Sequence, residues 1–237
     1  MQKKSEKAGI LILCLLTPTV IIGGFLLFKG KNYYLISAAI LLLSMLAFFI
    51  SFERREHIAR EIVVIASVCA IAVASRSVFY MLPEVKPIGA VVIVAAVSFG
   101  YEVGFLTGAL SMFLSNMIFG QGSWTPFQMF GLGMVGLLCG LLFSSSKYKN
   151  NRWVLGISGG IIVFVVYGLI VDTNSVLMHS ADFSPGSVLS VYLYGVPMNL
   201  VFGATTSVLL ILFGKTFTEK LERLKSKYGI FGKAEIE

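Results

Sequence analysis

Between Asn116 and Gln128 the chain reads Asn-Met-Ile-Phe-Gly-Gln-Gly-Ser-Trp-Thr-Pro-Phe-Gln. The amides and hydroxyl of Asn116, Gln121, Thr125 and Gln128 both donate and accept hydrogen bonds, while Trp124 and Phe127 offer flat apolar faces. That mixture suits capture of a large, polar, partly planar solute. Bond-making chemistry is poorly served. Gly120-Gln121-Gly122-Ser123 faintly resembles a serine nucleophile turn, but a nucleophile needs a base on a neighbouring element. His57 falls on the opposite side of the topology derived below, and His179 sits in a polar connection where histidine is usually solvated. Gly214-Lys215-Thr216 imitates the end of a phosphate loop, yet Leu209 stands where its first glycine belongs. Cys14, Cys69 and Cys139 are scattered through apolar runs, with neither disulfide nor metal spacing. The chain therefore reads as a binding protein, with no catalytic residue, metal or cofactor.

Other polar residues stand near that stretch in the expected topology. Arg76 lies in the outer half of an apolar run, where a guanidinium must snorkel, pair or face a wet cavity. Lys86 follows in a turn, beside Glu84, which is placed to neutralise it. Tyr192, Tyr194 and Asn199 flank Pro197, whose missing N–H frees a carbonyl and kinks a helix. Asp172 and Asn174 either cap the same pocket or are solvated loop residues. The candidate solute-binding set is Arg76, Lys86, Asn116, Gln121, Trp124, Thr125, Gln128, Tyr192 and Asn199.

The elements that must hold these residues are membrane spans. Of 237 residues, 57% are hydrophobic and only 13% charged, with mean hydropathy +0.87; soluble domains carry about a quarter charged residues. Eight apolar runs follow one another, at 9–28, 33–52, 62–82, 88–100, 104–119, 129–143, 154–171 and 188–213. The first has a basic start like a signal peptide, but it is long and lacks a cleavage site, so it pairs with the second as a hairpin. Pro83 and Pro87 force a reversal after the third. With a cytoplasmic amino terminus, alternation puts fifteen of the nineteen basic residues on the cytoplasmic side. The net charge of +7 thus reports topology, not nucleic acid. Both termini are expected inside, and the stretch 116–128, the turn 83–87 and the polar stretch 172–187 outside. Residues 1–56 form an amino-terminal hairpin, 57–219 a six-helix membrane domain and 220–237 a charged cytoplasmic tail.

Small residues mark close helix contacts. Ala66, Ala70 and Ala74 recur every fourth position and form a flat stripe for a helix of this chain or of another subunit. Gly104 and Gly108, with Gly133, Gly136 and Gly140, read as internal packing. No carboxylate is expected in mid-span, so an energy source is hard to find within the chain.

The alanine stripe, the turn Glu84-Val85-Lys86-Pro87 and the run 116–128 continuing into Met129 and Gly133 resemble substrate-binding S components of energy-coupling factor (ECF) vitamin transporters. The similarity covers Glu61 to Lys215. It implies a six-helix solute-binding core, and it makes Ala66, Ala70 and Ala74 the contact with a transmembrane coupling subunit that carries two ATPases. The wording Gly-Gln-Gly-Ser-Trp-Thr-Pro-Phe-Gln-Met is similar to the cobalamin branch. The all-α, polytopic architecture then adds an extra amino-terminal hairpin to that core. The implied function is capture of a vitamin-like solute outside the cell membrane and its inward delivery. The alternative is a self-sufficient secondary carrier or channel.

Overall fold

The computed structural model describes residues 59–179 and 184–231, with Thr19, Gly23, Ala39 and Leu43 as single positions. The amino-terminal hairpin lies outside the described residues. Eight α-helices follow: α1 Ala59–Val78, α2 Ile88–Phe99, α3 Tyr101–Phe119, α4 Thr125–Phe143, α5 Arg152–Ile162, α6 Gly168–His179, α7 Pro185–Leu209 and α8 Lys215–Tyr228. One π-helical turn, Val163–Tyr167, joins α5 to α6, and another, Leu210–Gly214, joins α7 to α8. Among the described residues, five helical units are long and apolar enough to cross a membrane: α1, α3, α4, the unit Arg152–Met178 and the unit Pro185–Tyr228. At 1.5 Å per residue a 20-residue helix such as α1 spans about 30 Å, the thickness of the hydrocarbon core. The architecture is an all-helical, polytopic membrane bundle.

The sixth element, α2, is short. Its 12 residues rise only about 18 Å, and 11 of them are buried. α2 packs against α1, α3, α4, α7 and α8, so neighbouring helices, not lipid, surround its apolar perimeter. Gly100, at φ 106°, turns the chain from α2 into α3; a side chain there would be strained. Gly120, at φ 113°, ends α3 in the same way. Start signals are local: Asn151 accepts N–H bonds from Trp153 and Val154 at the head of α5, and Ser184 accepts from Ser187 N at the head of α7. Pro126 and Pro185 sit in the first turn of their helices, where no N–H is needed.

Three sequence expectations change. The stretch 116–128 is mostly helical, because Asn116–Phe119 closes α3 and Thr125–Gln128 opens α4, leaving Gly120–Trp124 as the loop. The seventh span does not stop at Val171, since α6 carries Asp172 and Asn174 onward to His179. Both side chains are buried, which removes the solvated-loop reading. The last span continues through α8, so a boundary at 219 falls inside a helix that runs to Tyr228.

The bundle has two ends. Pro83–Pro87, Gly120–Trp124, the end of α6 and the start of α7 gather at one, called the polar end below. The start of α1, the α2–α3 turn, the α4–α5 connection and the end of α8 gather at the other, the basic end.

Candidate functional site

The polar end is built from four connected groups. Arg76, in the last turn of α1, donates from Nη1 to Ser115 Oγ at 2.8 Å and Asn116 Oδ1 at 3.1 Å on α3. Its guanidinium lies 5.1 Å from the Phe119 ring centroid, and Phe119 stacks on Tyr80 at 4.5 Å. Of the three fates open to this arginine, pairing is the one observed: it clamps α1 to α3 instead of snorkelling. Asn116 is buried and donates through Nδ2 to Gln128 Oε1 at 2.7 Å and Thr125 Oγ1 at 3.3 Å. Thr125 Oγ1 also accepts the Gly122 N–H. Asn116, Thr125 and Arg76 therefore spend their hydrogen bonds on joining α1, α3 and α4, and Gln128 contributes its carbonyl.

The loop itself is folded back. Gln121 is exposed and donates to Phe113 O at 3.2 Å. Trp124 lies against Gly122, where any Cβ would strike its ring, and it is 40% exposed. The spacing Gly-x-Trp is thus a packing requirement. Ser123 Oγ donates to Met178 Sδ at 3.2 Å, which ties the loop to α6.

Lys86 projects from the α1–α2 turn, pairs with Glu84 Oε2 at 2.6 Å and lies 5.8 Å from the Phe202 ring centroid. The sequence pairing of Lys86 with Glu84 is observed. Burial pushes the Lys86 ammonium below its usual range, Glu84 opposes the shift and Arg76 adds to it. Glu84 itself holds φ 59°, an uncommon left-handed conformation for a residue other than glycine. Phe202 meets Tyr167 edge-on at 5.0 Å. This links the turn through α7 to the π-helical turn after α5.

The fourth group joins α6 and α7. Asn199 donates to Asp172 Oδ2 at 2.7 Å, and the Tyr192 and Thr173 hydroxyls lie 2.8 Å apart. Gly195 and Gly168 leave room for this pairing: a Cβ on Gly195 would collide with the Asp172 carboxylate, and one on Gly168 would stand 2.7 Å from Asn199 Nδ2. Pro197 lies inside α7 between these contacts. Tyr194 points away, 83% exposed. Two buried polar atoms here have no protein partner among the described residues, Asn174 Oδ1 and Tyr167 Oη. Buried polar groups are normally bonded.

Sequence reasoning placed Lys86, Tyr192 and Asn199 where polar groups meet aromatic ones. Gln121 folds back onto Phe113 O, and Arg76, Asn116 and Thr125 bond across α1, α3 and α4. Tyr167 was missed, because a tyrosine inside an apolar run resembles core. Asp172 and Asn174 were seen but left undecided, because the polar run after Val171 imitates a loop. Asp172 is a buried carboxylate within a membrane-crossing unit, close to its polar end.

Fold and site together define an all-helical membrane protein in which buried polar groups and aromatic rings gather toward one end. The family model described as ECF-type riboflavin transporter, S component, matches residues 57–219. The chain belongs to this family. The match bears out the S-component resemblance and lends no support to the cobalamin branch. No curated protein and no solved structure gives a significant match.

Proposed function

We propose that the chain is the solute-capturing membrane subunit of an ECF-type importer, and that its solute is riboflavin or a close flavin relative. The observation that carries this reading is the juxtaposition at the polar end of unpartnered buried acceptors and donors with aromatic rings. Asn174 Oδ1 and Tyr167 Oη lack protein partners, the Asp172–Asn199 pair shares α6 with Asn174, and Lys86 and Phe202 face each other beside Tyr167. A flavin offers a flat tricycle for the rings, an edge alternating carbonyl and N–H, and a polyhydroxylated chain. The riboflavin description of the matched family points the same way. Gln128, Trp124 and Tyr192 complete the expected lining; Gln121 stands furthest from it.

In this reading the polar end faces outward, as the distribution of basic residues indicates, and both termini are cytoplasmic. Transport energy comes from a transmembrane coupling subunit with two ATPase subunits, docked at Ala66, Ala70 and Ala74. These three alanines are exposed, while Ile65, Val68, Cys69, Ala72 and Val73 of the same helix face the core. Among the described residues, no helix of the chain covers the stripe.

Reconstitution separates this from a self-sufficient carrier. The purified chain in liposomes should bind riboflavin and quench its fluorescence, but accumulate none under a proton or sodium gradient. Uptake should require added coupling subunits and ATP. Accumulation by the chain alone would refute the S-component mechanism, and absence of flavin binding would refute the solute. Ala70→Trp should abolish co-purification with the coupling subunit while flavin binding persists; unchanged co-purification removes the stripe from the contact.

A further inference from the structure

We propose that α8 is an interfacial foot whose outer face binds anionic phospholipid headgroups at the basic end of the bundle. The continuous helical unit Pro185–Tyr228 has 44 residues. At 1.5 Å each it is about 66 Å long, roughly twice the hydrocarbon core, so one part must leave that core. Contacts fix where α8 goes. Lys225 Nζ donates to Ser98 O at 3.2 Å at the end of α2. Beyond the αL residue Gly229, Phe231 N donates to the buried Glu61 carboxylate at 2.6 Å in the first turn of α1. Phe231 packs on Phe99 at 4.8 Å, and Glu222 pairs with Lys149 at 2.6 Å. α8 is therefore held level with the ends of α1 and α2, which is the depth of the membrane boundary.

At that depth its faces are sorted. Thr218 is buried, and Leu221, Glu222 and Lys225 are half-buried on the side turned to the bundle. The next face carries Phe217, Leu224 and Tyr228, which are 53%, 41% and 46% exposed, and it continues Phe213 of the preceding π-helical turn. Spacings of four, seven and four keep these side chains on one stripe. Lys220, Arg223 and Lys227 are exposed along its flank, with Lys227 Nζ 5.3 Å from the Tyr228 ring centroid. Glu219 lies 3.9 Å from Lys215 and, with Glu222, borders the same surface as Arg223 and Lys227, further round the helix from the apolar stripe.

A solvated face accounts for the cations but not for a continuous line of large exposed apolar side chains beside them. Apolar and aromatic residues flanked by lysine and arginine match a headgroup region with anionic lipid, where long cationic side chains snorkel to phosphate. The stripe also runs without a break from Phe213, within the membrane-crossing unit, so the bilayer already covers its start. A protein partner needs no such cation flank.

A benzophenone side chain introduced in place of Leu224, in the full chain in nanodiscs of mixed phosphatidylcholine and phosphatidylglycerol, tests this by mass spectrometry of photoadducts. The expected result is lipid adducts at 224 and few at Ser226, with phosphatidylglycerol enriched over its share of the bilayer. Each cation near an anionic surface favours binding roughly fivefold. Lys220→Gln, Arg223→Gln and Lys227→Gln together should therefore abolish the enrichment, while lipid adducts and riboflavin binding remain. No lipid adduct at 224, adducts without headgroup preference, or protein adducts displacing lipid when the coupling subunits are present would each overturn the proposal.

Discussion

Two antiparallel helix pairs in this bundle, α3 with α4 and α6 with α7, are joined by opposite means. The α3–α4 seam is made of backbone. A Cβ on Gly104 would stand 2.6 Å from Gly136 O, and one on Gly133 would stand 2.7 Å from the Phe105 ring. Gly108 and Gly136 likewise meet the backbone of the facing helix. Without a hydrophobic drive between helices in lipid, such close approach lets van der Waals contact do the joining. The α6–α7 seam is made of side chains: Asn199 with Asp172, and Tyr192 with Thr173. It keeps two polar atoms, Asn174 Oδ1 and Tyr167 Oη, without protein partners. Beneath its polar cap of Asn116, Thr125 and Gln128, the first seam has nothing to offer a solute and nothing to rearrange. The other carries polar groups that a ligand can complete, and it holds Pro197 within α7. Under the proposed function, the contrast pairs a rigid α3–α4 with a recognition role for α6–α7.

The largest effect should come from breaking the backbone seam. Gly136→Leu forces four carbons into the space occupied by Gly104, with no flexible side chain to yield, and overpacking costs about 3 kcal/mol or more in such sites. The expected outcome is loss of monodisperse, folded protein in detergent, with riboflavin binding lost as a consequence. Gly186→Ala is the matching control, because nothing lies within 4 Å of its added Cβ; its melting temperature should hold or rise slightly. A well-folded Gly136→Leu chain would show that the seam is looser than its geometry.

The recognition seam should fail differently. Asp172→Asn preserves shape and still leaves an oxygen to accept from Asn199, so the fold should survive. Under the proposed function the carboxylate also accepts a hydrogen bond from the flavin; loss of that charge-assisted bond, worth about 1.5–3 kcal/mol, should weaken riboflavin affinity about 10- to 100-fold in titration with little change in melting temperature. Equal affinity would move the site away from α6. Arg76 gives the converse test. Because its guanidinium binds Ser115 and Asn116, Arg76→Met should lower stability by about 1–2 kcal/mol while riboflavin affinity changes less than about threefold. A large loss of affinity at unchanged melting temperature would return Arg76 to the solute.

These separate fates explain what was legible beforehand. Spans, the Pro83–Pro87 reversal and the glycine seam follow from apolar runs and small-residue spacing, which local chemistry dictates. The stretch 116–128 stands out because its polar residues lie between apolar runs, yet most of it is helix end and not loop. Asn116 and Thr125 look like ligand donors until the helices bring them within reach of each other and of Arg76. Asp172 and Asn174 look like loop residues because nothing local distinguishes a polar residue facing a buried recess from one facing water. Likewise the charges of α8 resemble a solvated tail, and only its contacts with Glu61, Ser98 and Lys149 reveal a docked helix. Tertiary pairing decides each of these, and it leaves no periodic trace in sequence.

The smallest effect concerns the turn that borders both seams. Burial lowers the Lys86 pKa below its ordinary 10.5, and the Glu84 carboxylate partly restores it. Between the lowered value and 10.5 the folded chain binds fewer protons at this site than the unfolded chain, so stability must rise with pH across that window. Below the window the cost of holding a buried ammonium is constant; above it both states are neutral. Melting temperature against pH in nanodiscs should therefore show an upward step that is complete by about the ordinary lysine value of 10.5. Lys86→Met should flatten it. Glu84→Gln, by removing the group that raises the pKa, should widen the step toward lower pH. If the step survives Lys86→Met, the titrating group lies elsewhere and the turn contributes shape alone. If it vanishes with Lys86→Met but ignores Glu84→Gln, the 2.6 Å ion pair holds no electrostatic influence over the lysine, and the turn is set by its backbone.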